Sequence, residues 1–126
     1  KNEPASVLYE HPNANTRITA IFRELLERQF PIETPHQRFT MKSAGSFAES
    51  LAVHVNHLNR AVKSTTGKTT TSLIAERILA EAQALLKHTD WNIAEISNSL
   101  GFEEPSHFNN FFRKYTSLSP SRYRTV

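Results

Sequence analysis

The sequence predicts an all-α fold of about seven helices, organised as two similar helix pairs around one long connecting helix. Three observations point there. Apolar residues recur at helical spacing from Thr16 onward, helix caps and Gly or Pro breaks separate these runs, and the second half of the chain repeats the pattern of the first.

Residues 1–15 carry Pro4, Pro12, Asn13 and Asn15 without periodic apolar spacing and read as a linker or disordered N-terminal segment. Ile18, Ile21, Phe22, Leu25, Leu26 and Phe30 then form the stripe of a first amphipathic helix, stopped by Pro31 and Pro35. The polar stretch from Pro31 to Gly45 reads as a long surface loop. Ser46 and Glu49 match a capping box opening a short helix to about Val53. After a turn near His54, Val55, Leu58, Ala61 and Val62 gather on one side of the next helix, which ends at Gly67. Thr69 or a neighbouring threonine caps the connecting helix, about 69–88, with Leu73, Ile74, Ile78, Leu79, Ala82, Leu85 and Leu86 buried. Ile93, Ile96 and Leu100 mark another short helix, turned by Gly101. Pro105 starts a helix whose Phe108, Phe111, Phe112 and Tyr115 are expected inside, and Ser119-Pro120 opens a last one carrying Tyr123.

Composition removes several function classes. Only 38% of the 126 residues are hydrophobic and none form an uninterrupted bilayer-length run, so no membrane span is expected. With no cysteine there is no disulfide framework, thiolate cage or thiol nucleophile. Three glycines and neither phosphate-loop pattern argue against a nucleotide cofactor, and no cofactor of any kind is predicted. His54 and His57 are spaced for two metal ligands, but no third ligand is near in sequence, so no metal site is expected. No nucleophile–base pair or carboxylate dyad is evident, and Glu103-Glu104 suits an acidic first turn, so catalysis is not expected either. The net charge of +3 permits a polyanionic partner without requiring one. The chain opens on Lys1 without a signal peptide, which predicts a piece of a longer cytoplasmic protein.

An offset of 49 places Phe47 on Ile96, Leu51 on Leu100, Ala52 on Gly101 and Val53 on Phe102. One extra residue in the second turn then places Leu58 on Phe108, Val62 on Phe112 and Lys63 on Arg113. Each unit is thus a helix-turn-helix, whose second helix is the element that enters a DNA major groove. The outer stripes fit that use. Asn56, Asn59 and Arg60, and Ser106, Asn109 and Asn110, are side chains that pair with base edges, and Lys63, Arg113 and Lys114 flank them for phosphates. The competing reading is a helical protein-interaction module without direct DNA contact, using Ile18, Ile21, Phe22 and Leu25.

Ile93-Ala94-Glu95-Ile96, Leu100-Gly101-Phe102, Ser106-His107-Phe108, Phe111-Phe112-Arg113-Lys114, Ser119-Pro120 and Tyr123-Arg124 form an ordered string that closely resembles the DNA-binding domain of AraC/XylS transcription regulators. Leu58-Asn59-Arg60, Lys63, Gly67 and Leu85-Leu86 extend the resemblance, which covers about Thr16 to Arg124. It implies a DNA-binding domain over 16–126, with a first unit at about 16–67, the linker helix, and a second unit at about 92–126. Ser117 stands where the family usually has glycine, the Pro31–Gly45 loop is longer than usual, and Arg77 is about one residue from the family's linker-helix arginine.

The resemblance implies double-stranded DNA as partner, RNA polymerase as a further partner of activators in the family, and a separate sensor or dimerisation domain in the intact protein. It assigns base contacts to Asn56, Asn59 and Arg60 in the first unit and to Ser106, His107 and Asn110 in the second, and His57, better read as a groove-edge residue than as a metal ligand, joins the first set. Phosphate contacts fall to Lys63, Arg113 and Lys114, and to helix N-termini near Ser46, Thr69 and Asn92. The two recognition helices are expected in adjacent major grooves about 34 Å apart.

Overall fold

The computed structural model describes residues 2–126, with side chains described from Ala14 onward. Seven helices are present among the described residues: α1 (Asn2–Arg28), α2 (Ala44–Ser50), α3 (Val55–Thr66), α4 (Thr70–His88), α5 (Ile93–Ser99), α6 (Pro105–Thr116) and α7 (Pro120–Thr125). The backbone is helical from Asn2, where the sequence predicts a linker through residue 15. Pro4 falls in the first turn, whose amides have no intrahelical partner in any case. The side chains of 1–13 lie outside the described residues.

Two compact units divide the chain: residues up to Arg28 with Ser43–Ile74, and Gln29–Lys42 with Ala75–Val126. In the first, Phe22 of α1 meets Phe47 of α2 edge-to-face, ring centres 5.1 Å apart, and both are wholly buried. Leu26, Ala48, Leu58, Ala61, Val62, Leu73 and Ile74 complete the core, whereas Ile21, expected in it, is 46% exposed. The cap of α2 is Ser43, one turn before the predicted Ser46: Ser43 Oγ accepts the Ser46 amide at 3.1 Å. The S-x-x-E match was therefore coincidental, because Ser46 already lies within the helix.

In the second unit α1 has ended at Arg28, ahead of Phe30, and Gln29–Lys42 forms a strap with a core of its own. Phe30, Ile32 and Phe39 are buried, so the predicted surface loop is a packed segment. Burying each such side chain is worth ~1.5–3 kcal/mol, which outweighs the polar character of its neighbours. Three polar ties hold the strap: the Ile32 amide donates to buried Glu81 at 2.7 Å, the Phe39 amide donates to the Ser99 carbonyl at 2.8 Å, and Lys42 Nζ donates to the Gly101 carbonyl at 2.6 Å. Arg77 pairs with Glu81 at 3.1 Å and lies over the Phe30 ring, 4.2 Å from its centre. Phe108, Phe112, Ile96, Leu100, Ala82, Leu85 and Leu86 fill the rest. Tyr123 of α7 meets Phe112 edge-to-face at 5.2 Å, and Arg124 donates to the Leu86 and Thr89 carbonyls.

The predicted repeat extends to individual hydrogen bonds. Val53 N–H donates to the Ala48 carbonyl at 3.0 Å, and its counterpart Phe102 N–H to the Ser97 carbonyl at 3.1 Å. Thr66 Oγ1 donates to the Val62 carbonyl at 2.8 Å, and Thr116 Oγ1 to the Phe112 carbonyl at 2.9 Å. Each unit has two left-handed residues, in the turn and after the second helix: Ala52 (φ 58°) and Gly67 (φ 77°) in the first, Gly101 (φ 91°) and Ser117 (φ 67°) in the second.

Candidate nucleic-acid interface

The candidate surfaces are the outward faces of α3 and α6, each a helix of 12 residues. His54 caps α3, its Nδ1 accepting the Asn56 amide at 3.1 Å. Leu58, Ala61 and Val62 bury one side of α3 completely. A helix pinned by that side must turn the other outward, and Asn56, His57, Asn59, Arg60 and Lys63 are all exposed. In α6, Pro105 occupies the first turn, and Phe108 and Phe112 are wholly buried. Ser106, His107, Asn110, Arg113 and Lys114 are exposed, and Asn109 is half-buried.

Each predicted group therefore stays together on one helix face. In the first unit, an open groove of about 580 Å³ is lined by Asn59, Arg60, Lys63 and Thr69–Thr71. Another of about 710 Å³ is lined by Ala14, Asn15, His57, Arg60, Lys63 and Ser64. Arg60 and Lys63 border both, so two cations stand on the crest of α3. Lys63 Nζ also donates to the Gly67 carbonyl at 3.1 Å, holding its charge at the negative end of the helix. Arg113 and Lys114 occupy the last turn of α6 in the same way. Asn15, at the wall of the second groove, was missed because the sequence pattern gave its segment no structure.

The predicted helix N-termini differ in what they offer. The Ser46 amide is bonded to Ser43 Oγ, and Asn92 is closed in a capping box, its side chain taking the Glu95 amide and Glu95 taking the Asn92 amide. Thr69 caps α4 by accepting the Ser72 amide at 3.1 Å and is exposed beside Lys63 and Arg60. Phe111 and Tyr115 depart from expectation: Phe111 is half-buried and Tyr115 is 45% exposed, because Phe108 and Phe112 alone face the core. Beside the α5–α6 turn, burial and then Arg38 push the Lys42 ammonium below its ordinary value, with Glu103 opposing. Among the described residues no three His, Asp or Glu gather as a metal site, and no helix is long and apolar enough to cross a membrane.

A helix-turn-helix domain model matches residues 47–125. The transcriptional activator RhaS of Mannheimia succiniciproducens is 35% identical over 77 residues, which are 61% of this chain and 29% of that protein's length. The C-terminal domain of AraT, a response regulator from Geobacillus stearothermophilus, superposes with a TM-score of 0.71 at 26% identity, covering 86% of this chain and 84% of that one. The DNA-binding domain of AdpA, solved with a target DNA, shares the fold with a TM-score of 0.66 at 22% identity over 88% of this chain and 89% of its own. With the duplicated turns, the caps and the paired exposed faces, these likenesses establish that the chain belongs to the AraC/XylS family and comprises its helix-turn-helix DNA-binding domain.

Proposed function

We propose that this domain binds double-stranded DNA sequence-specifically by placing α3 and α6 in adjacent major grooves. The observation that carries the reading is the exposure of every predicted base-contacting side chain on the face of α3 or α6 opposite its buried residues. Asn56, His57, Asn59 and Arg60 meet one half-site, and Ser106, His107 and Asn110 the other. Asn suits adenine, and Arg suits guanine when bidentate geometry is available. Lys63, Arg113, Lys114 and the Thr69 end of α4 meet phosphates. The capped amides of Ser46 and Asn92 make these two the weakest members of the phosphate set. Because the two faces differ in sequence, the target is asymmetric.

RhaS and AraT are named as a transcriptional activator and a response regulator. By analogy, this domain serves a cytoplasmic transcription regulator whose sensing or dimerising part is a separate domain and which contacts RNA polymerase. The matched family is one of DNA-binding regulators rather than an enzyme class. Selection of bound duplexes from a random pool, followed by titration across salt, tests the reading. A protein of this kind enriches one asymmetric sequence and loses affinity steeply with salt. Absence of enrichment, with flat salt dependence, would favour the protein-interaction module.

A further inference from the structure

An aromatic row runs along one rim of α6. It begins at Phe102 in the α5–α6 turn, continues to Phe111 at 5.3 Å between ring centres, and reaches Tyr115 a further 5.1 Å on. A cation stands over each end: Lys42 Nζ is 4.9 Å from the Phe102 ring centre, and Lys114 Nζ is 5.7 Å from that of Tyr115. Phe111 follows His107 by one helical turn and Asn110 by one residue, so it borders the outward ridge. The matching positions in α3 are Ala61, fully buried, and Thr65, so α3 has no such rim. The row is anchored inward as well, since the Phe102 ring lies 5.4 Å from that of buried Phe108, while Phe111 and Tyr115 keep part of their surface open.

We infer that Phe111, held in place by Phe102 and Tyr115, is a specificity-determining residue that contacts the 5-methyl group of a thymine in the half-site met by α6. The inference rests on the DNA-binding reading above and deepens it. Thymine alone among the bases presents an apolar group in the major groove, and an aromatic ring is a suitable partner for it. A side chain on the flank of a helix whose crest enters the groove faces the base edges toward one strand. The ammonium groups at both ends of the row suit the phosphates that border such a contact. A protein partner is a poorer match, because three rings, two of them half-buried, fall well short of the ~800 Å² per partner of a stable interface.

The test starts from the selected duplex and replaces each thymine of the α6 half-site by uracil, which removes the methyl and leaves every hydrogen-bonding edge in place. One replacement should weaken the wild-type protein about three- to fivefold. Phe111→Ala should be indifferent to that same replacement, and Phe111→Leu should keep the sensitivity. As a check independent of any variant's folding, 5-iodouracil at that position should photocrosslink wild-type protein at Phe111 or Tyr115. Wild-type indifference to every replacement, undiminished sensitivity in Phe111→Ala, or crosslinks confined to other residues would overturn the inference while leaving DNA binding intact. Failure of the wild type to select any duplex would overturn the inference together with the reading beneath it.

Discussion

Gly101→Ala and Gly67→Ala separate backbone strain from collision. Both glycines are left-handed, at φ 91° and 77°. A methyl on Gly67 meets open space, so the substitution adds only conformational strain of ~1–2 kcal/mol. A methyl on Gly101 overlaps the Phe39 carbonyl oxygen and stands 3.0 Å from Lys42 Cδ, both on the strap. Relief requires the strap to lift, which strains the Phe39–Ser99 and Lys42–Gly101 hydrogen bonds, each worth ~0.5–1.5 kcal/mol net. Gly101→Ala should therefore cost ~2–5 kcal/mol against ~1–2 for Gly67→Ala. The repeat supplies an internal control: Ala52 occupies the position of Gly101 at φ 58°, so the turn tolerates a β-carbon where no strap crosses it. Urea denaturation followed by circular dichroism measures both variants. Costs equal to within ~0.5 kcal/mol would refute the claim that the strap is packed on that turn.

Further outcomes follow from the same structure. Ala52→Gly and Ser117→Gly remove left-handed strain and should each stabilise by ~0.5–1 kcal/mol after the entropy of glycine is offset; lower melting temperatures in both would contradict this. Glu81→Ala strands the buried Ile32 amide and should cost ~2–4 kcal/mol, while Glu81→Gln, which keeps an acceptor, should cost less; equal losses in denaturant titrations would show that the acceptor is immaterial. Arg60→Ala should weaken specific binding by ~1–3 kcal/mol and relax preference at one base, whereas Lys63→Ala should mainly lower the salt slope by about one, both read by titration on the selected duplex. Lys42 binds its proton less tightly when folded than when unfolded, so just below its ordinary value of 10.5 stability should rise with pH. Lys42→Gln should flatten that slope, and an unchanged slope would exclude Lys42 as its origin.

The repeat and the helices from Thr16 onward were legible because periodicity and capping are local, whereas the Asn2–Asn15 part of α1, which has no apolar period, was not. Leu58 and Val62, like Phe108 and Phe112, lie four apart and announce their buried face without tertiary knowledge. Exposure of Asn56, Arg60, Ser106 and Asn110 followed from the same spacing. The strap was not legible. Ile32 and Phe39 stand among Glu33, His36, Gln37 and Arg38 with no period, and their burial depends on Glu81 and Ser99, 49 and 60 residues further along the chain. Ser46 misled because Ser43, three residues earlier, caps just as well, and only backbone geometry separates two such serines. Tyr115 misled because it continues the Phe108 and Phe112 stripe at helical spacing, yet it stands one residue from the end of α6 and is 45% exposed.

The two units diverge in an informative pattern. Several side chains that fill the core or close a helix keep the repeat, as in Leu58 and Phe108, Val62 and Phe112, and Thr66 and Thr116, although buried Ala61 is answered by half-buried Phe111. On the outward faces, His57 matches His107 and Asn59 matches Asn109, but Asn56 is answered by Ser106 and Arg60 by Asn110. Residues 56 and 60 lie four apart on the exposed crest, as do 106 and 110, so each divergent pair occupies one ridge. Packing does not force this difference, since all four side chains are exposed. Under the proposed function, the asymmetry of the target therefore originates at these two positions of each helix and, in the second unit, at the aromatic rim beside them.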